Sequence, residues 1–210
     1  MKAKIPLGHS TLLLRIAVLL GAVLILLGTP ATARAFTFTT IDVPGATSTE
    51  ASGINPRGQI VGHFLDASGA DHGFSLLRLT TLITIDVPGA TSTEASGINP
   101  RGQIVGHFLD ASGADHGFML LRRSTFITID VPGATSTEAS GINARGWVVG
   151  DFLDASGAEH GFVLLRGSTF ITIDVPGATS TEASGINPEG QIVGDYTDAA
   201  GTLHGFVAVP

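Results

Sequence analysis

At 210 residues the chain has room for one or two domains. Its charged fraction of 14% falls well below the ~25% of an ordinary soluble domain, while 28 glycines with abundant Thr and Ser mark a turn-rich β chain rather than a helical one. The absence of cysteine excludes disulfides and thiolate metal ligands.

The first segment reads as an export signal. Lys2 and Lys4 give a positive start, Arg15 precedes an apolar run from Ile16 to Leu27, Pro30 breaks it, and Ala33-Arg34-Ala35 offers small residues where a signal peptidase reads. A retained anchor would need about 20 apolar residues, and this run is shorter with a charge at its head. No cysteine follows it, so lipid attachment of the lipoprotein kind is excluded. Residues 1–35 are therefore expected to be a secretory signal peptide, and residues 36–210 the mature, secreted domain. Four of the 11 basic residues and none of the 18 acidic ones lie in the leader, leaving 7 basic against 18 acidic, a balance of −11 without a lysine. Such a balance disfavours nucleic acid and anionic lipid as partners and suits a soluble exported chain with no membrane span once the signal is cleaved.

The mature region is a repeat. Thr40-Ile-Asp-Val-Pro-Gly-Ala-Thr-Ser-Thr-Glu-Ala-Ser-Gly-Ile-Asn55 recurs unchanged at 84–99, 128–143 and 172–187, a period of 44 residues. In one unit, Thr49–Ile54 predicts a strand, followed by the type I turn residues Asn55-Pro56-Arg57-Gly58. Gln59–Leu65 is apolar on both faces, as in a strand between two layers. Asp66–Asp71 is a polar loop, His72–Leu77 a third strand, and Leu82–Val87 a fourth, ended by Pro88-Gly89. Four antiparallel strands in 44 residues have the size of a propeller blade. A β-helix coil is usually much shorter, and long open solenoids carry distinct caps that the first and last copies here lack.

The runs Ser-Gly-Ile-Asn-x-x-Gly-Gln-Ile-Val-Gly and the triplets His72-Gly73-Phe74, His116-Gly117-Phe118, His160-Gly161-Phe162 and His204-Gly205-Phe206 resemble the extracellular HAF repeat, named for a His-Ala-Phe triplet; glycine stands here at its middle position. The resemblance spans the mature chain. It implies a bacterial exported repeat protein and supplies no reaction or catalytic residues.

Three polar sets recur. Asp66-x-Ser68-Gly69-x-Asp71, repeated at Asp110 and Asp154, has oxygen ligands at calcium-loop spacing but no closing bidentate glutamate. A plain Asp-capped hairpin turn accounts for it. The four triplet histidines open the third strands, and His63 and His107 sit mid-strand where later copies have Asp151 and Asp195; a strand-end hydrogen-bonding role is expected rather than a metal site. Glu50, Glu94, Glu138 and Glu182 begin the strand richest in small residues, which the crowding at a ring centre places innermost. Four carboxylates near one axis could hold a cation, or simply face water at the strand ends. No metal or cofactor is expected.

Catalysis needs groups of different roles held together, whereas this chain repeats the same residues four times. It has no Gly-x-Ser-x-Gly elbow, phosphate loop or His-Glu-x-x-His. Trp147, Arg123, Glu189 and Tyr196 break the symmetry, and Trp147 replaces a glutamine either to stack on a sugar or partner or to fill a gap beside the next blade. The reading is a non-enzymatic binding or scaffold module that recognises an extracellular glycan or protein with one face of a ring. An extracellular polymer hydrolase or lyase is the alternative.

The mature chain starts with a fourth-strand sequence, Phe36–Val43, and ends with a third, His204–Val209. Their antiparallel pairing would close a monomeric four-bladed β-propeller and remove two edges; otherwise an open β-repeat array, or two chains sharing eight blades, follows. Mass spectrometry of the exported protein is expected to find Phe36 as its first residue, and an intact N-terminus in the membrane fraction would reject the cleavage.

Overall fold

A computed structural model of the protein describes residues 36–122, 124–166 and 168–210. The signal-peptide segment and Arg123 lie outside the described residues. Fifteen strands and no helix are found among those described. The first sheet holds β1 (Ser48–Ile54), β2 (Ile60–Leu65), β3 (Asp71–Leu77) and β4 (Thr81–Ile85) in sequence order, all antiparallel. The second repeats it with β5 (Ser92–Ile98), β6 (Ile104–Leu109), β7 (Asp115–Leu121) and β8 (Thr125–Ile129). The third has β9 (Ser136–Ile142), β10 (Val148–Leu153), β11 (Glu159–Leu165) and β12 (Thr169–Ile173). The fourth has three strands, β13 (Ala178–Ile186), β14 (Ile192–Asp198) and β15 (Leu203–Ala208), and touches the third through one parallel bridge, Glu159 to Ser180. Each sheet is a propeller-type blade.

Local chemistry sets these boundaries. In the first turn of each blade, Asn55 N–H donates to Gln59 O (3.0 Å) and Gly58 N–H to Asn55 O (2.9 Å). Gly58 takes φ +71°, the left-handed position that follows a type I turn in a three-residue hairpin and that glycine fills without strain. The third and fourth strands are joined by a tighter two-residue turn in which Arg78 and Leu79 both have positive φ, 51° and 59°, closed by Thr80 N–H on Leu77 O at 3.0 Å. That geometry is a type I′ turn without its usual Asn-Gly, so both side chains carry backbone strain.

The strand rich in small residues is innermost, as its composition predicts. A Cβ on Gly53 would lie 3.2 Å from Ser96 O, one on Gly97 3.0 Å from Ser140 O, and one on Gly141 3.0 Å from Ser184 O. The first strands of successive blades therefore run almost in backbone contact. Each first strand skips one residue in its pairing, at Ser52, Ser96, Ser140 and Ser184. That bulge turns the serine carbonyl toward the glycine of the preceding blade.

Between blades the core is apolar and layered. Val61, Ile85 and Val87 of the first unit pack with Ala95, Ile104 and Leu120 of the second, and Val105, Ile129 and Val131 meet Ala139, Val148 and Leu164 in the same way. The triplet phenylalanines Phe74, Phe118 and Phe162 are 0% exposed. At roughly 1.5–3 kcal/mol for each large apolar side chain removed from water, these seams hold the array together.

The expected four-blade closure is not formed. β15 pairs with β14 alone among the described strands, and residues 36–43 carry no strand. Ile41 and Val43 instead pack on Phe74 and Leu76 of the first blade. The rear of the fourth blade stays open: Val193 is 51% exposed where Val61, Val105 and Val149 are at 0%. The physical reason lies in where the N-terminal segment packs. Ile41 and Val43 are held by the front of the first blade instead of the edge of β15.

Gly106 lies opposite the bulge, paired with Ala95, and a Cβ there would overlap the Glu94 carbonyl oxygen and the Phe118 ring. Gly106→Ala is expected to destabilise the protein by at least about 2–3 kcal/mol in urea unfolding, while the same change at the open turn residue Gly157 costs less. Equal effects would contradict the packing described.

Candidate functional site

Because the strands alternate in direction, the β1–β2 and β3–β4 turns emerge at one end of the array. The β2–β3 loops and the connectors between blades emerge at the other. This sorts the charges. Every described arginine lies in a turn at the first end: Arg57, Arg101 and Arg145 in the first turns, Arg78, Arg122 and Arg166 in the strained ones. Of the 18 acidic residues, only Glu189 sits in a turn there.

At the arginine end, two successive blade junctions form grooves of the same chemistry. The first, ≈ 460 Å³, is lined by Arg57, Gln59, Arg101, Gln103, Leu121 and Arg122. The second, ≈ 340 Å³, offers Arg101, Gln103, Arg145, Arg166, Ile127 and Phe170. Each combines guanidinium and carboxamide donors with an apolar wall. Arg101 belongs to both. At the third junction Trp147 replaces the glutamine, and its ring lies 2.8 Å from where a Cβ on Gly190 would be, with Arg145 4.9 Å above it. The half-buried indole packs beside Val149, Ala183 and Ile192, so it fills the gap against the next blade.

At the acidic end, the Asp66-type loops are Asp-capped turns. Asp66 Oδ1 accepts from Ser68 N–H (2.7 Å), Ser68 Oγ–H (2.7 Å) and Ala70 N–H (3.0 Å). These bonds hold the carboxylates of Asp66, Asp110 and Asp154 down at about 2, with the serine hydroxyl as the largest cause. His72 stands between two aspartates, its Nδ1 2.9 Å from Asp86 Oδ1 and its Nε2 3.5 Å from Asp66 Oδ2, and stacks on Phe64 at 5.2 Å. His116 and His160 repeat this brace, which ties the loop of each blade to the connector leaving it. The hydrogen bond to Asp86, Asp130 or Asp174 raises each imidazole above its ordinary value.

Nearer the inner strands the glutamates meet the mid-strand residues. Glu50 faces His63, Glu94 faces His107, Glu138 faces Asp151 and Glu182 faces Asp195 across the strand pairs. His63 also reaches the next blade's Glu94, Nδ1 to Oε2, at 3.7 Å. His107, Asp115 and Glu138 place one ligand atom each within 4.8 Å of one another, a set able to hold a divalent cation. The strand-end placement of the glutamates and the clustering across blades thus coexist, which single-unit spacing could not show. Burial pushes Asp115 up to about 6, opposed by His107 and reinforced by Glu138. Burial also lifts Asp151 to about 7, with Glu138, Glu159 and Glu182 adding like charge.

No protein-family model and no curated protein matches the chain. Among solved structures, a triple-arginine mutant of AofleA from Arthrobotrys oligospora has TM-score 0.50 at 14% identity, covering 76% of this chain and 54% of that one. The BP39L lectin from Burkholderia pseudomallei has TM-score 0.49 at 14% identity, covering 84% and 57%. The Aleuria aurantia lectin, a six-bladed β-propeller with a fucose recognition mode, has TM-score 0.36 at 11% identity, covering 77% and 64%. The chain spans little more than half the length of the first two. At such identities the likeness is one of fold.

The shifts fix a pH profile. Asp66-type carboxylates lose their contribution as pH falls below about 4 toward 2. Asp115 and Asp151 keep protons in the folded state that the unfolded chain releases near 4, so stability declines as pH rises through about 7. The raised histidines act in the same direction: their contribution is full below about 6.5 and lost above the folded value. Thermal melts are expected to peak near about pH 4 and decline from there toward about pH 8, and Asp151→Asn is expected to shrink that decline by a few degrees. A flat profile from pH 5 to 8, or an unchanged one in the variant, would contradict the assignment.

Proposed function

We propose that the protein is an exported, non-enzymatic module that binds an extracellular glycan bearing carboxylate or sulfate groups, through the inter-blade grooves of its arginine end. Two adjacent grooves with the same Arg-Gln pair and an apolar wall carry this reading. Guanidinium forks bind planar anions in pairs of hydrogen bonds, carboxamides exchange bonds with hydroxyls, and Phe170 and Leu121 offer flat or aliphatic contact to a sugar ring. Repetition at successive junctions suits a polymer with a repeating charge, since weak contacts on one chain add through effective concentration. The net charge of the mature chain is averaged over two unlike ends, and the end that meets the ligand is positive. Export is supported by the leader's composition.

The grooves contain no paired nucleophile and base, and neither carries two carboxylates at the spacing of a glycoside hydrolase, which favours binding over the hydrolase or lyase alternative.

On an array of neutral, uronic-acid and sulfated glycans, the protein is expected to retain the anionic ones, with affinity falling as salt rises. Arg101→Ala, at an exposed turn shared by both grooves, is expected to weaken binding at least tenfold without lowering the melting temperature. Turnover of a polymer without stable binding, or binding of neutral glycans that Arg101→Ala leaves intact, would overturn the proposal.

A further inference from the structure

Each internal junction buries the rear of one blade against the front of the next, and the two outermost faces of the array are the two halves of that same junction. On the front of the first blade, Ala51 is exposed, whereas its counterparts Ala95, Ala139 and Ala183 are 0–1% exposed. Ala51 lines an apolar groove of ≈ 260 Å³ with Ile41, Ser52, Gly53, Ile54 and Ile60. On the rear of the fourth blade, Val193 and Val207 are 51% and 62% exposed; their counterparts Val149 and Val163 are at 0% and 7%. In the internal seams the first of these rear valines, Val61, Val105 or Val149, meets the front alanine Ala95, Ala139 or Ala183. The fourth blade also lacks a fourth strand, while Thr37–Ile41 stands at the repeat position of β4, Thr-Phe-Thr-Thr-Ile against Thr-Leu-Ile-Thr-Ile, without belonging to a sheet. Ile41 and Val43 already sit on the first blade's front, as Ile85 and Val87 sit on the second's.

We infer that a second copy of this chain docks head to tail on these faces: the rear of one fourth blade packs on the front of the other's first blade, and Thr37–Ile41 of that second copy pairs with β15. The register follows from β3–β4, where Gly73 opposes Ile85 and Ser75 opposes Ile83, so Gly205 opposes Ile41 and Val207 opposes Thr39 between copies. Asn187 then donates to the Asn55 carbonyl of the second copy, as Asn143 does to Asn187 at 3.0 Å within the chain. The fourth unit departs from the repeat where this seam would form. Leu203, 66% exposed, replaces Asp71, Asp115 and Glu159, removing the carboxylate that would crowd Asp195 and the incoming Glu50 and leaving an apolar side chain for the contact. The monomer expected from the sequence rested on closure within one chain, which the fold does not make. Two copies joined at both ends supply eight blades with every blade complete.

Native mass spectrometry and sedimentation of the exported protein at micromolar concentration are expected to give twice the chain mass. Val193→Glu and Ala51→Glu, each on a face exposed in the single chain, are expected to yield folded monomers by circular dichroism, with self-association weakened at least tenfold. Mixing the two variants is expected to restore one heterodimer, because each keeps the face that the other has lost. Since the chain has no cysteine, a V207C/T39C double variant reports the seam directly as a disulfide between chains. A wild-type monomer, a mixture that stays monomeric, or a V207C/T39C disulfide formed within one chain would each overturn the inference.

Discussion

The array is held in register by one buried carboxamide in each of the first three blades. Asn55 Oδ1 accepts from Arg57 N–H (2.9 Å) and Gln59 N–H (3.1 Å) of its own turn, and its Nδ2 donates to Gln59 Oε1 (2.7 Å) and to the carbonyl of Asn99 in the next blade (3.2 Å). Asn99 does the same toward Asn143, and Asn143 toward Asn187. The same group therefore shapes a turn and sets the spacing of neighbours. Its two acceptor and two donor sites are all used at Asn55 and Asn99, which is what makes burial of so polar a residue tolerable. Aspartate there would set oxygen against the next blade's carbonyl, and a shorter or apolar side chain would orphan groups on both sides of a seam.

The fastening at the other end is of a different kind. There His72, His116 and His160 each bridge a loop aspartate and a connector aspartate, partly exposed, while a buried threonine such as Thr93 accepts from the Val87 amide at 3.1 Å. Between the carboxamide ladder and the histidine braces lies an apolar seam of Val, Ile, Leu and Phe. Each blade is thus pinned to its neighbour at two polar points with dry packing between them, and the pins lie at opposite ends of the strands.

Much of this was legible in one unit of sequence. The four strands, the Asn-Pro-x-Gly turn and the inner position of Thr-Glu-Ala-Ser-Gly follow from local preferences and side-chain size, and they agree with the fold to within a residue or two. The Asp-capped loops were legible for the same reason. Closure was not, because it depends on where the N-terminal segment packs relative to the last blade, and no pattern within a unit encodes that. The arginine grooves were missed for another reason. Arginine entered only as a term in the net charge, yet Arg57 and Arg78 fall in alternate turns of an up-and-down sheet, and counting turns by parity puts them on the same end. The signal was present in the order of the elements. Trp147 needed the structure: only the neighbouring Gly190 shows which gap it fills.

The sameness of the seams has an evolutionary consequence. A blade that presents one front and one rear, each fitted to its own kind, is a unit of duplication that brings its own interface with it. Gain or loss of a whole 44-residue unit leaves the recurring contact of a rear valine on a front alanine in place at the remaining seams, so array length can drift in steps of one blade with adjustment only at the few seam positions that differ, such as Ser75, Met119 and Val163. Point changes have no such freedom, since a residue altered in a front must still suit the rear before it. Descent by copying units is the course this geometry favours, and the near-identity of the four copies is what such a history deposits.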